Sequence, residues 1–148
     1  MAPRTPLQFT PSLNGPCLCG SGKKFKRCCV DRYKGRRPGH DSHDAMKRGD
    51  YAAALLECRA DITQYTIWHK SHTEPVVRDG FSEILPLLHI DIRAMGELVD
   101  SLFLCYQKLD IVDEFPEVLE RLRTNINDER WQRKITYFQT LCTLWPDW

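Results

Sequence analysis

The chain has 148 residues, enough for one ordinary domain and a small appendage. With 42% hydrophobic and 28% charged residues it has the composition of a folded soluble protein, which excludes a fibrous or intrinsically disordered chain. No apolar run approaches the length of a membrane-spanning helix, so no transmembrane segment is expected. The net charge of +1 conceals a split: residues 1–40 hold nine Lys/Arg against one acid, +8, while residues 41–148 hold the other twelve bases and nineteen acids, −7. A basic head is drawn to polyanions such as RNA, DNA or lipid head groups. The blander reading is that its cations balance the acidic body.

Residues 1–15 are rich in Pro and Thr, lack periodicity and read as a flexible arm. Pro3, Pro6 and Pro11 interrupt its short apolar fragments, so no secretory leader is expected. Seven cysteines, an odd number, argue against a secreted disulfide framework and for a reducing compartment, the cytoplasm.

Residues 16–31 carry the chemistry. Cys17, Cys19, Cys28 and Cys29 fall within thirteen residues with the spacing C-x-C-x8-C-C. Such a loop can fold back so that four sulfurs meet, and four thiolates in a reduced cell point to a metal ion. The usual one is Zn²⁺ in a closed tetrahedral structural site. Gly20 and Gly22 permit positive φ and a close approach of backbone N–H groups to thiolate. Lys23, Lys24, Lys26 and Arg27 lie inside the loop, where they can offset cluster charge and favour thiolate. Phe25 is the module's one core residue. A segment this short cannot bury enough apolar area to fold alone, so metal supplies the folding energy, about 10–16 kcal/mol in zinc-finger peptides. The alternatives are a disulfide knot and a vicinal dithiol switch at Cys28–Cys29.

This string resembles the SEC-C motif, the metal-binding tail of the translocase motor SecA, which also occurs on unrelated bacterial proteins. The resemblance rests on Cys17, Cys19, Gly20, Ser21, Gly22, Lys23, Lys24, Phe25, Lys26, Cys28 and Cys29. It covers about residues 15–31, and Pro16 also fits. Cysteine rather than histidine in the last position is a variant the family permits. The resemblance implies metal ligation by the four cysteines, usually of zinc, with iron as the other metal for a thiolate set. It also implies contact with ribosomes, SecB-like chaperones or anionic lipid.

Residues 32–41, with Arg36, Arg37, Pro38 and Gly39, read as a basic linker, and residues 42–148 as an all-α body. Asp41 or Ser42 is placed to cap a short helix over 43–48 that Gly49 ends. Asp50 caps a longer helix with an apolar stripe of Tyr51, Leu55, Cys58, Ile62 and Tyr65. Pro75 and Gly80 break the pattern. Ser82 is placed to cap the next helix, with Pro86 in its first turn. Its stripe of Leu88, Ile92, Met95, Val99, Leu102, Tyr106 and Leu109 is the longest in the chain. Asp113 precedes an amphipathic helix carrying Phe115, Val118, Leu119, Leu122 and Ile126. Asp128 starts a last one with Trp131, Ile135, Phe138, Cys142 and Trp145 on one face. No alternating strand pattern is visible. The stretch 45–55 is similar to the turn of a tetratricopeptide repeat, so the fold expected is mainly α: a metal-binding knuckle followed by helical hairpins, either TPR-like or a plain bundle.

Other residues read as structure. His40 and His43, and His69 and His72, have H-x-x-H spacing but no metalloprotease carboxylate, so solvated or packed imidazoles are expected. Cys58, Cys105 and Cys142 lie on or beside apolar stripes and read as core thiols. Trp145 and Trp148 flank Pro146 in a tail that can serve as a docking peptide. Asp110, Asp113, Glu114, Glu117 and Glu120 read as a solvated face. No nucleotide-binding or hydrolase motif is present, and no catalytic residue is assigned.

The sequence thus points to a cytoplasmic, non-enzymatic adaptor. Its zinc-bound module presents Lys23, Lys24, Lys26 and Arg27 to a ribosome, RNA, chaperone-like or lipid partner. An enzyme with a site in the helical body and a thiol-based sensor are the other classes left open, as are the partner's identity and the oligomeric state.

Overall fold

The computed structural model describes residues 10–33, 39–73, 77–78, 81–82 and 87–144. Several sequence expectations lie outside the described residues: the arm over 1–9, Arg36, Arg37 and Pro38 of the linker, Pro75, Gly80 and Pro86, and the tail with Trp145 and Trp148. The described chain is mainly α. A short 3-10 turn, Phe25–Arg27, belongs to the N-terminal knuckle. Five helices follow: α1 (His40–Lys47), α2 (Tyr51–Thr73), α3 (Leu87–Lys108), α4 (Phe115–Asn125) and α5 (Glu129–Leu144). Among the described residues no helix is long and apolar enough to cross a membrane.

α1 begins earlier than the capping residues suggest. It starts at His40, after Gly39 at φ +87°, so Asp41 and Ser42 lie inside its first turn. The cause is a contact distant in sequence. The buried carboxylate of Asp61 on α2 accepts the Gly39 N–H at 2.9 Å and the Ser42 hydroxyl at 3.3 Å. Ser42 thus spends its hydroxyl on α2 and not on its own backbone. Gly49, at φ +75°, turns the chain, and Asp50 caps α2 by accepting the Ala53 N–H at 3.1 Å.

Ser82 does not cap α3. It pairs with Val77 in a two-residue antiparallel hairpin, β1 (Val77–Arg78) and β2 (Phe81–Ser82). Among the described residues the helix runs from Leu87.

The apolar stripes converge on one core. Leu55, Cys58 and Ile62 of α2 meet Met95, Val99, Leu102 and Tyr106 of α3. Leu88 and Ile92 fall outside the residues whose side chains are described. α4 and α5 close the core with Phe115, Leu119, Leu122, Trp131, Ile135 and Phe138. Phe115 packs between Phe103 and Tyr106, with ring centroids at 5.4 and 4.7 Å. Leu109 and Ile126 pack against or within this core although each lies just past its helix. Asp128 opens α5 by accepting the N–H groups of Arg130 and Trp131 at 2.9 and 3.3 Å. Trp131 is fully buried and donates its indole N–H to the Leu122 carbonyl at 2.7 Å, tying α5 to α4.

Candidate metal centre

The knuckle is built from backbone turns. Pro16 and Lys24 form an isolated antiparallel bridge, and the Cys17 N–H donates to the Lys23 carbonyl at 2.9 Å. That pairing closes the loop and sets Cys17 and Cys19 opposite the segment that follows. The 3-10 turn then delivers the vicinal pair, with the Cys28 N–H bonded to the Phe25 carbonyl at 3.1 Å. Phe25 is buried and lies 5.5 Å from the Tyr33 ring, so the knuckle has an apolar floor of its own.

This folding brings all four sulfurs within 4.8 Å of one another. Cys19 and Cys28 Sγ are 3.5 Å apart, and Cys28 and Cys29 Sγ 3.7 Å. Sulfurs at the corners of a tetrahedron around a metal at about 2.3 Å stand about 3.8 Å apart, so the spacing fits such an ion. It does not fit disulfides: all seven cysteines are free thiols. Cys17, Cys19 and Cys29 are buried and Cys28 is half-buried. The donor set is all sulfur, the chemistry of soft or borderline metals.

Electrostatics favours a cation here. The contact with Cys19 brings the Cys17 thiol down to about 6. Cys28 is driven far below its usual range by Cys17, Cys19 and Cys29, with the Ser21 hydroxyl, 3.3 Å away, adding to the effect. Cys19 and Cys29 are pushed up, each first by its contact with Cys17 and further by burial. Four crowded thiols cannot all ionise without a cation, and a divalent ion removes the conflict by taking all four as thiolates.

The knuckle is also docked on the helical body. Gly20, at φ +80°, faces α4 so closely that a Cβ would stand 2.8 Å from the Val118 carbonyl oxygen. Gly22, at φ +81°, lies against the Arg121 guanidinium. Arg121 Nη1 donates to the Gly20 carbonyl at 3.2 Å, and Asn125 Nδ2 to the Leu18 carbonyl at 3.0 Å. On the other side, Thr63 Oγ1 of α2 lies 3.8 Å from Cys17 Sγ. Sequence reasoning does not find Thr63, Arg121 or Asn125, because nothing in their spacing connects them to the cysteines.

The remaining candidates separate. Lys23, Lys24, Lys26 and Arg27 are exposed around the loop. His40 joins no cysteine; its Nδ1 lies 3.5 Å from Asp44 and 4.0 Å from Asp41 on the exposed start of α1. His43 is exposed and His69 buried, while the His72 side chain lies outside the description. Cys58 and Cys105 are fully buried core thiols and Cys142 is partly buried. The run Asp110, Asp113, Glu114, Glu117 and Glu120 is exposed throughout.

No curated protein and no solved structure matches the chain. Over residues 14–29 the chain is similar to the SEC-C motif family, and that stretch holds the four cysteines that the fold draws together.

Proposed function

We propose that this protein is a zinc-binding adaptor in which Cys17, Cys19, Cys28 and Cys29 hold one structural zinc ion and the knuckle docks on a polyanionic partner. The observation that carries the metal reading is the convergence of four sulfurs at tetrahedral separations. Four protein ligands fill the coordination shell, so the ion has no open position for substrate and its role is to fix shape. The docking reading is supported by four exposed cations on a loop that metal makes rigid. A rigid array of cations binds phosphates at lower entropic cost than a flexible one. The partner class proposed is ribosomal RNA, and the place of action the cytoplasm.

Elemental analysis of the purified protein is expected to give about one zinc per chain, lost in Cys17→Ser and in Cys28→Ser. Co-sedimentation with ribosomes should be strong at low salt and fall steeply as salt rises, because cations released from the phosphates drive binding. Replacing Lys23, Lys24, Lys26 and Arg27 by glutamate should abolish it. Ribosome binding unaltered by that replacement would remove the docking reading and leave the metal reading intact.

A further inference from the structure

We propose that Arg59, on α2 and far outside the cysteine motif, supplies a partly buried countercharge to the metal centre and joins the knuckle electrostatically to the helical body. The inference rests on the four-cysteine metal reading and deepens it.

The placement comes from the helix. Thr63 Oγ1 lies 3.8 Å from Cys17 Sγ, so this face of α2 abuts the sulfurs. Arg59 precedes Thr63 by four residues, the spacing that sets two side chains on one helical face. Its guanidinium is anchored to α3, Nη2 donating to the Tyr106 hydroxyl at 3.0 Å. Its Nε is buried and has no hydrogen-bond partner among the described residues. A buried donor in that position is costly unless an anion faces it. Burial works against charge on Arg59, but the Tyr106 hydroxyl and the nearby Cys19 and Cys28 sulfurs outweigh it, and the group is held above its ordinary range.

The charge requirement is specific. A divalent ion with four thiolates carries a formal charge of about −2. The loop cations are exposed, where water and salt screen them. Arginine on the protein side is screened less and keeps its charge when partly buried, as lysine does not always do. The division of labour has a consequence for docking. With Arg59 compensating the sulfurs from within, Lys23, Lys24, Lys26 and Arg27 remain available to an external phosphate.

The test titrates the metal-free protein with Zn²⁺ against a chromophoric chelator, and with Co²⁺ by absorption. Arg59→Met should weaken zinc binding by roughly 10–100-fold, the usual cost of losing a partner of metal ligands. It should also move the thiolate-to-cobalt charge-transfer band to lower energy, because the sulfur lone pairs lose a neighbouring cation. Arg59→Lys should recover most of the affinity. Converting the four loop cations to glutamine should change it by less than about threefold. Wild-type affinity and an unshifted cobalt band in Arg59→Met would overturn the proposal, as would a large loss confined to the loop variant. If Arg59→Met does not fold, the unaltered protein decides. Raising salt to about 1 M, where screening acts within about 3 Å, should leave its zinc affinity nearly constant; a tenfold fall would assign the compensation to the exposed cations and overturn the proposal. A wild-type chain that takes up neither metal overturns the underlying metal reading instead.

Discussion

Arg121 and Gly20 stand 101 positions apart, yet the Arg121 guanidinium donates to the Gly20 carbonyl at 3.2 Å. Through this contact α4 grips the turn that carries Cys17 and Cys19. Val118 closes on the same glycine from below, so the cysteine turn is shaped partly by the helical body and not by the motif alone.

Gly20→Ala tests that grip. The backbone sits at φ +80°, and a Cβ would meet the Val118 carbonyl oxygen at 2.8 Å. Left-handed strain and the clash together should destabilise the protein by about 2 kcal/mol. Chemical denaturation followed by circular dichroism measures it. Arg121→Ala removes one partly exposed hydrogen bond and should cost less, about 1 kcal/mol.

Metal removal should act locally. The knuckle's buried cluster of Cys17, Cys19, Phe25 and Cys29 shares no residue with the main core. A strong chelator is therefore expected to expose the segment around residues 14–33 to protease while helical circular dichroism stays nearly constant. A knuckle equally protected with and without metal would show that its fold does not depend on the ion.

Asp128 links pH to the start of α5. Burial raises its carboxyl, but the Arg130 guanidinium and the Trp131 backbone N–H outweigh burial, and the group lies below the ordinary range. Because the folded-state value is depressed, the stabilisation is complete above the unfolded range near about pH 3.9. It is lost as pH falls through the folded value. Asp128→Ala should cost about 1 kcal/mol at neutral pH, and the difference from wild type should shrink on acidification below that range. Urea denaturation at several pH values checks both.

Asp110 offers a change of opposite sign. It ends α3 at φ +58°, with its N–H on the Gln107 carbonyl and the Ile111 N–H on the Tyr106 carbonyl at 2.9 Å. This is the left-handed helix terminus that glycine occupies without strain. Asp110 is exposed and its side chain is on the solvated face. Asp110→Gly should raise stability by about 0.5 kcal/mol, read as a small increase in thermal midpoint.

Ligand spacing and helical stripes could be read directly because they are properties of neighbours in the chain. C-x-C-x8-C-C brings its sulfurs together by local turns, and a stripe such as Met95, Val99, Leu102 and Tyr106 marks its buried face by a 4-3 rhythm. Where a distant partner intervenes, local rules lose. Ser42 looks like a cap, but Asp61 claims its hydroxyl and α1 starts three residues early. Ser82 looks like another, but it pairs with Val77 in a strand.

By itself the order of residues determined that a cysteine knuckle precedes an α-helical body and which helix faces are apolar. Only the tertiary structure decided where the knuckle sits: between Thr63 of α2 and Asn125 of α4, with Arg59 on the same α2 face as Thr63. The reason is that cysteine ligation and apolar periodicity have fixed spacings, whereas one arginine, threonine or asparagine reaching across the fold leaves no pattern in the sequence.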